Sequence, residues 1–345
     1  MTAVDVRKRE RGKSILLLAF SFFLLVLSLF HAEAVIGGVR TALRLCAETV
    51  VPTLFPFMIL SDLIGEAISG LGNGRDRREA RKGRSLVPLI PFLLGALCGF
   101  PLGIRALSDL YHRGEITKEE GEHLVTFVNN TGPAFVIAGV GGRLFSSVRL
   151  GILFYLSQIL AALLCALLFY RRKSAESFFR KDAYTEEHEP FNLIRTVKSS
   201  ALSALYITAL TATFSALAAL TSVFCKNSCL LGIFHAFLEV GGATLHASGM
   251  IAEAPLTASL LAVFSVSFGG FSVYMQSLLF LKDTPFPPRR YLLAKLLQGG
   301  FAILIFLLLH PSSIMVIILK LTKLRHIWKK ERSRMKPKTL LKSII

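Results

Sequence analysis

Asn129, Asn130 and Thr131 interrupt an otherwise apolar stretch, and Gly132 and Pro133 follow them directly. A carboxamide offers both donors and acceptors, which suits a neutral polar ligand such as a nucleobase or a sugar. The same side chains could instead bond to carbonyls freed by the Gly-Pro break, and the two uses are compatible. Glu239, in the run LEVGGA, sits midway through another apolar stretch with no charge beside it, and His235 stands four residues earlier. An ionisable group within a membrane span is by default a functional-site hypothesis. Proton or sodium coupling through Glu239, with His235 as its partner, and a structural hydrogen bond to its glycine-rich neighbours are equally open. Gln276, after SFGGFSVYM, is a further polar group of this kind. The expected solute contacts are therefore Asn129, Asn130, Thr131, Gly132, Glu239 and Gln276.

A second group of residues would position them. Gly99, Pro101 and Gly103 stand in the run GFPLG, with Arg105 and Asp109 following four residues apart on one helix face. A salt bridge between those two would hold a hairpin that folds back at GFPLG, and a direct contact of Arg105 with ligand is the rival use. Pro133 and Gly270 are expected to break helices in the same way. Interrupted helices at membrane depth are tolerated only where the freed backbone is buried in protein or lines a cavity, and in transporters such breaks often form the binding site.

Signatures of catalysis are missing from the sequence. There is no GxSxG, no HExxH, no Walker motif and no pair of carboxylates that would share a cleft. The five cysteines (Cys46, Cys98, Cys165, Cys225 and Cys229) are scattered through apolar segments without the histidines or second pair that zinc spacing needs. The expectation is a protein that is not an enzyme and carries no cofactor and no metal.

Composition places these residues in a membrane. Of 345 residues 53% are hydrophobic, mean hydropathy is +0.57, and uninterrupted apolar runs recur along the chain. Soluble domains rarely do this. The net charge of +18 invites a nucleic-acid reading. The basic residues, however, gather at the two ends and in two loops, as the positive-inside rule requires, and such patches attract anionic lipid head groups. No nucleic-acid partner is expected.

Nine apolar segments are legible: 14–30, 43–69, 86–111, 123–142, 148–170, 199–224, 228–249, 256–281 and 291–319. Most reach the roughly 20 residues that a spanning helix needs. The first resembles a signal peptide, but its cleavage signal is loose, so a retained helix is expected. Placing the basic N-terminus, loop 70–85, the linker 171–198 and the basic tail all in the cytoplasm requires an even number of crossings between each pair. The three segments from 86 to 170 break that rule unless one does not cross. Segment 86–111, rich in Gly and Pro, is the candidate. The expected fold is an all-α polytopic membrane protein with about eight transmembrane helices, one re-entrant hairpin entering from the cytoplasmic side, and both termini cytoplasmic.

The domain reading follows: a basic cytoplasmic N-terminus at 1–13, a transmembrane domain at 14–319, and a basic tail at 320–345. The transmembrane domain divides into a core at 43–170 and a second half at 199–319, joined by the linker 171–198. An internal repeat is suggested at an offset of 171 residues, where Gly99-Phe100 matches Gly270-Phe271 and Arg105 matches Gln276. Its symmetry is open. Thr117 and Glu120 have the spacing of a capping box that opens the next helix. The tail reads as a segment lying on the membrane surface against anionic lipid.

The order GFPLG, then GEITKEEGE, then FVNNTGPAFVI resembles the YlbJ family of sporulation integral membrane proteins, and LEVGG and FGGFSVYMQ fit its second half. The resemblance covers roughly residues 40–310. That family is counted with the proteins that carry the nucleoside recognition, or Gate, domain, also found in nucleoside transporters and in FeoB ferrous-iron transporters. The resemblance implies an eight-span protein in the membrane of a sporulating bacterium, with a role in forming the spore cortex. By motif it points to Gly99, Pro101, Gly103, Asn129, Asn130, Gly132, Pro133, Glu239, Gly270 and Gln276. The family often has His where this chain has Tyr274, and a fold-level likeness does not establish a substrate.

Two functions from different classes follow. The first is a transporter-like protein that binds or moves a small polar solute, with a nucleoside-like compound as the candidate. The rival is a structural or assembly factor of the spore envelope whose polar residues only hold the hairpin. Neither the solute, the coupling ion nor the oligomeric state is legible.

Overall fold

A computed structural model describes residues 3–52, 54–60, 63, 87–170 and 192–310. Loop 70–85, most of the linker 171–198, the end of segment 43–69 and the tail 320–345 lie outside the described residues, as do the side chains of residues 1–10. Everything regular that is described is helical. The helices are α1 (Ala3–Phe30), α2 (Ala32–Leu45), α3 (Leu89–Cys98), α4 (Leu102–His112), α5 (Lys118–Leu124), α6 (Ala134–Leu144), α7 (Val148–Leu168), α8 (Leu193–Phe224), α9 (Ser228–Leu238), α10 (Val240–Gly249), α11 (Pro255–Phe268), α12 (Gly270–Leu281) and α13 (Pro288–Leu309). A π-helical turn at Cys46–Val50 extends α2, helix continues over most of 51–60, and α6 is π-helical throughout.

Among the described residues five stretches are long and apolar enough to cross a membrane: Arg11–Phe30, Val148–Leu168, Leu193–Phe224, Pro255–Leu281 and Pro288–Leu309. In the first, side chains such as Leu16, Leu18, Phe22 and Phe30 are largely exposed. In water this would be an apolar patch in need of a partner; in lipid it is the ordinary outer face of a span. The chain is a multi-pass α-helical membrane protein.

Local chemistry sets the helix starts. Side chains of Ser147, Asn192 and Asn227 accept from the backbone N–H groups of Leu150, Arg195 and Leu230 at the heads of α7, α8 and α9. Thr117 and Glu120 form the expected capping box at α5, with Glu120 N–H donating to Thr117 Oγ1 (3.3 Å) and Thr117 N–H to Glu120 Oε2 (2.6 Å).

From α2 onward the chain runs twice through one order: a long helix, two short helices packed on each other, an interrupted helix, and a long helix. The first half is α2, the pair α3–α4, the interrupted α5–α6 and α7. The second is α8, the pair α9–α10, the interrupted α11–α12 and α13. Corresponding helices face each other, α2 against α8 and α7 against α13. The correspondence differs from the one expected from sequence. Its offset is near 140 residues, as between Val148 and Pro288 at the heads of α7 and α13. The 171-residue match paired Gly99, the turn of a hairpin, with Gly270, which lies within an interrupted helix.

The pair α3–α4 closes where Gly95 and Gly103 meet. A Cβ on either would run into the carbonyl of Val128, and each would also press on the other's Cα. Small residues at such a crossing let backbones approach closely. Among the described residues the core has three parts: one around Phe154, Val263 and Phe306; one around Leu107, Val125 and Tyr291; and a small one around Met58, Leu102 and Ile207.

Candidate functional site

Three interruptions meet at one place. The first is the turn of α3–α4, where α3 ends at Gly99 with φ 93°. The second is the non-helical stretch 128–132 between α5 and α6, with Pro133 in the capping position of α6. The third is the turn of α9–α10 at Glu239. The first two touch through backbone: a Cβ on Gly99 would stand 2.8 Å from Gly132 N, and one on Gly132 3.1 Å from the Cys98 carbonyl oxygen. The second half repeats the contact, since a Cβ on Gly270 would stand 2.9 Å from the Leu238 carbonyl oxygen and 3.0 Å from Glu239 N. Gly269 and Gly270 both have positive φ, 87° and 79°, which divides α11 from α12 at a conformation that glycine adopts without strain.

Glu239 makes its own turn. Its backbone is extended (φ −155°, ψ 133°), its N–H closes α9 on the His235 carbonyl, and its carboxylate opens α10. One carboxylate oxygen accepts from Gly241 N–H (2.7 Å) and the other from Gly242 N–H (2.6 Å). A buried carboxylate so placed is held by charge-assisted bonds at a positive helix end. Segment 228–249, expected as one crossing, is therefore two helices packed on each other. The sequence reading missed this because no proline marks the turn.

Between these elements lies a cavity of about 390 Å³. Its walls include Gly99 and Phe100 from the first turn, Thr131 and Gly132 from the break, Glu239 and Gly241 from the second turn, and Val273 and Gln276 from α12. Leu54 and Phe57 beyond α2, Ile207 and Thr211 of α8, and Phe135 and Arg143 of α6 also line it. An apolar chamber of this size with a few converging polar groups is the usual form of a small-molecule site. Gln276 Nε2 donates to Thr211 Oγ1 (3.2 Å) and Ser272 Oγ (3.1 Å), so its amide is oriented. Arg143 is exposed, while Glu239 is buried.

Of the residues expected to contact solute, Thr131, Gly132, Glu239 and Gln276 stand on this wall. Asn129 and Asn130 do not; they turn to the opposite side of the break, into a buried polar cluster. Asn129 Nδ2 donates to Ser277 Oγ (2.9 Å) and Tyr291 Oη (2.6 Å), and its carbonyl accepts from Lys295 Nζ (2.8 Å). Asn130 Nδ2 donates to the Phe127 carbonyl, and its Oδ1 accepts from Gln298 Nε2 (2.8 Å). Gln158 bridges cluster and cavity by bonding both backbone groups of Thr131, accepting from its N–H (3.3 Å) and donating to its carbonyl (2.9 Å). Thr131 Oγ1 donates to the Val266 carbonyl.

The sequence reading passed over Gln158, Lys295 and Gln298, although polar groups in the middle of spans are a readable signal. Among the positioning residues, Gly99 stands at the turn, Pro101 precedes α4 and Gly103 lies at the crossing. Arg105 is buried on α4 and donates to Ser200 Oγ of α8 (3.4 Å), with Asp109 one turn further on.

A phenylalanine group braces the second turn. The ring of Phe237, two residues before Glu239, lies 5.7 Å from Phe264, 5.6 Å from Phe268 and 6.4 Å from Phe271. These partners stand on both sides of the Gly269–Gly270 break.

The chain is 26% identical to the sporulation integral membrane protein YlbJ of Bacillus subtilis (strain 168), over 349 aligned positions. The alignment covers 86% of this chain and 82% of that protein. The chain is a relative of YlbJ. Its resemblance to the YlbJ family thus rests on most of its length as well as on GFPLG and FVNNTGP. No family model matches this YlbJ relative, and no solved structure does either.

Proposed function

We propose that this YlbJ relative is a transporter-like protein of a sporulating cell's membrane, binding a small polar solute in the cavity between its broken helices. The observation that carries the reading is the convergence of two helical hairpin turns and the 128–132 break on one chamber holding the Glu239 carboxylate and the Gln276 amide. Binding sites of secondary transporters are built in this way, from discontinuous helices whose ends point at the ligand. A nucleoside-like compound suits it: a flat apolar ring for the chamber, with hydroxyl and amide groups for Glu239, Gln276 and Thr131.

On this reading both hairpins are re-entrant. Each half then crosses three times, through its first long helix, its interrupted helix and its last long helix, so the two halves are inverted and their hairpins enter from opposite faces. With α1 that makes seven crossings up to His310, one fewer than the sequence suggested. The chain beyond His310, with the tail expected in the cytoplasm, lies outside the described residues. The role in spore-cortex formation comes from the family resemblance alone, as does the link to the Gate domain.

The test is thermal unfolding of the purified protein in detergent, with nucleosides, nucleobases and cell-wall precursors as ligands. A ligand at about 100 times its dissociation constant adds roughly 2.7 kcal/mol. The expected result is a shift in wild type that is lost in Gln276→Leu. If no compound moves the transition, the reading fails and the envelope assembly factor takes its place.

A further inference from the structure

Lys295 lies about two turns into α13, which begins at Pro288, and is 2% exposed. Its Nζ donates to the Asn129 carbonyl (2.8 Å) and to Gln298 Oε1 (2.7 Å). None of the described ion pairs gives it a carboxylate partner. Both of its bonds are donated to oxygen acceptors and no described donor points at its nitrogen, which is the pattern an ammonium takes. Burying such a charge is costly unless it is compensated, and here the compensation is uncharged: a backbone carbonyl of the broken segment and a side-chain amide. Asn129 contributes a further oxygen to this region, since its Oδ1 is buried without a hydrogen-bond partner. Neutral carbonyl and amide oxygens gathered at an interrupted helix are the ligands that membrane proteins use for monovalent metal ions.

We propose that Lys295 is a tethered cation that fills the oxygen-lined site at the α5–α6 break from within the chain, so that the neighbouring cavity works without a bound monovalent metal ion. The ammonium is linked to the cavity wall through Gln298, whose Nε2 donates to Asn130 Oδ1 and to the Gln158 carbonyl (3.2 Å). Gln158 in turn holds both backbone groups of Thr131. Removing the charge therefore loosens the segment that forms one side of the chamber. The metal-independence of solute binding rests on the transporter reading; the ammonium's hold on the break does not.

The experiment measures thermal unfolding of the full chain in detergent, in choline, sodium or ethylammonium chloride at equal ionic strength. The variants are wild type, Lys295→Ala, which opens a hole, and Lys295→Met, which fills the same volume without charge. Wild type is expected to unfold at one temperature in all three salts. Lys295→Ala unfolds several degrees lower in choline and recovers in sodium or ethylammonium, which enter the vacated site. Lys295→Met is lowered alike in every salt. A sodium-specific rise in wild type would overturn the proposal, as would Lys295→Met matching wild type or Lys295→Ala recovering in no cation.

If Lys295→Ala yields no folded protein, the other two proteins still decide. These outcomes do not depend on any solute, so failure of the solute panel and failure here are separate results. Once a solute is known, its shift in wild type should be the same in choline as in sodium.

Discussion

The hairpin α3–α4 turns on Gly99 and Pro101 and closes by a backbone crossing at Gly95 and Gly103, whereas α9–α10 turns on a carboxylate and closes by side chains. At the equivalent crossing in the second pair, a Cβ on Gly232 would meet the Leu261 Cδ1 methyl and the His246 ring. The His235 and His246 rings lie 5.2 Å apart between the two helices. One hairpin is held by the absence of side chains, the other by their presence. The first has almost no freedom to adjust, and the second can shift its packing without rebuilding backbone. Both deliver a turn to one cavity, and only the second brings a charge.

The largest effect is expected from closing the gap in the first hairpin. Gly95→Leu drives a side chain into the Val128 carbonyl, a clash that backbone cannot relieve cheaply, and overpacking of this kind typically costs about 1–3 kcal/mol or more. The expected outcome is loss of a monodisperse peak on size exclusion in detergent; a peak like wild type would show that the crossing is looser than described. Glu239→Ala comes next. It removes the cap on α10, worth about 0.5–2 kcal/mol, and it abolishes any ligand shift, whereas Glu239→Gln keeps part of the cap and loses the charge. If both variants bind ligand like wild type, the second turn is structural only.

Thr117→Ala calibrates these values outside the cavity: loss of the capping box should cost about 1 kcal/mol and leave ligand shifts intact. The smallest effect is expected at Gly232→Ala, where a gain in helix propensity of about 1 kcal/mol offsets the displacement of the Leu261 methyl and a small shift of the His246 ring. A large loss there would erase the contrast between the hairpins.

That contrast also explains what the sequence revealed. The first hairpin could be placed from GFPLG because its turn is made of residues whose backbone preferences are local and visible. The second could not, because Glu239 breaks the helix by reaching forward to two N–H groups, a choice settled only once α9 folds back on α10. The repeat was noticed but misaligned, since a shared Gly-Phe pair outweighed the order of helices, which no short motif encodes. Thr131, Gly132, Glu239 and Gln276 were singled out and do share the chamber. Asn129 and Asn130 stand out in the sequence for their amides, but those amides bond to Ser277, Tyr291, the Phe127 carbonyl and Gln298, partners that only the packed structure brings to them. Lys295 went unremarked beside Arg289 and Arg290, as one more basic residue at the edge of a span.

The ring of Phe237 lies against phenylalanines on both sides of the Gly269–Gly270 break, so the joint of α11–α12 carries a splint across it. A joint splinted in this way bends only when the splint slides, and the splint is rooted two residues from the cavity's carboxylate. The stiffness of the second interrupted helix is therefore a property of the second hairpin, and whatever takes hold of Glu239 also takes hold of that joint.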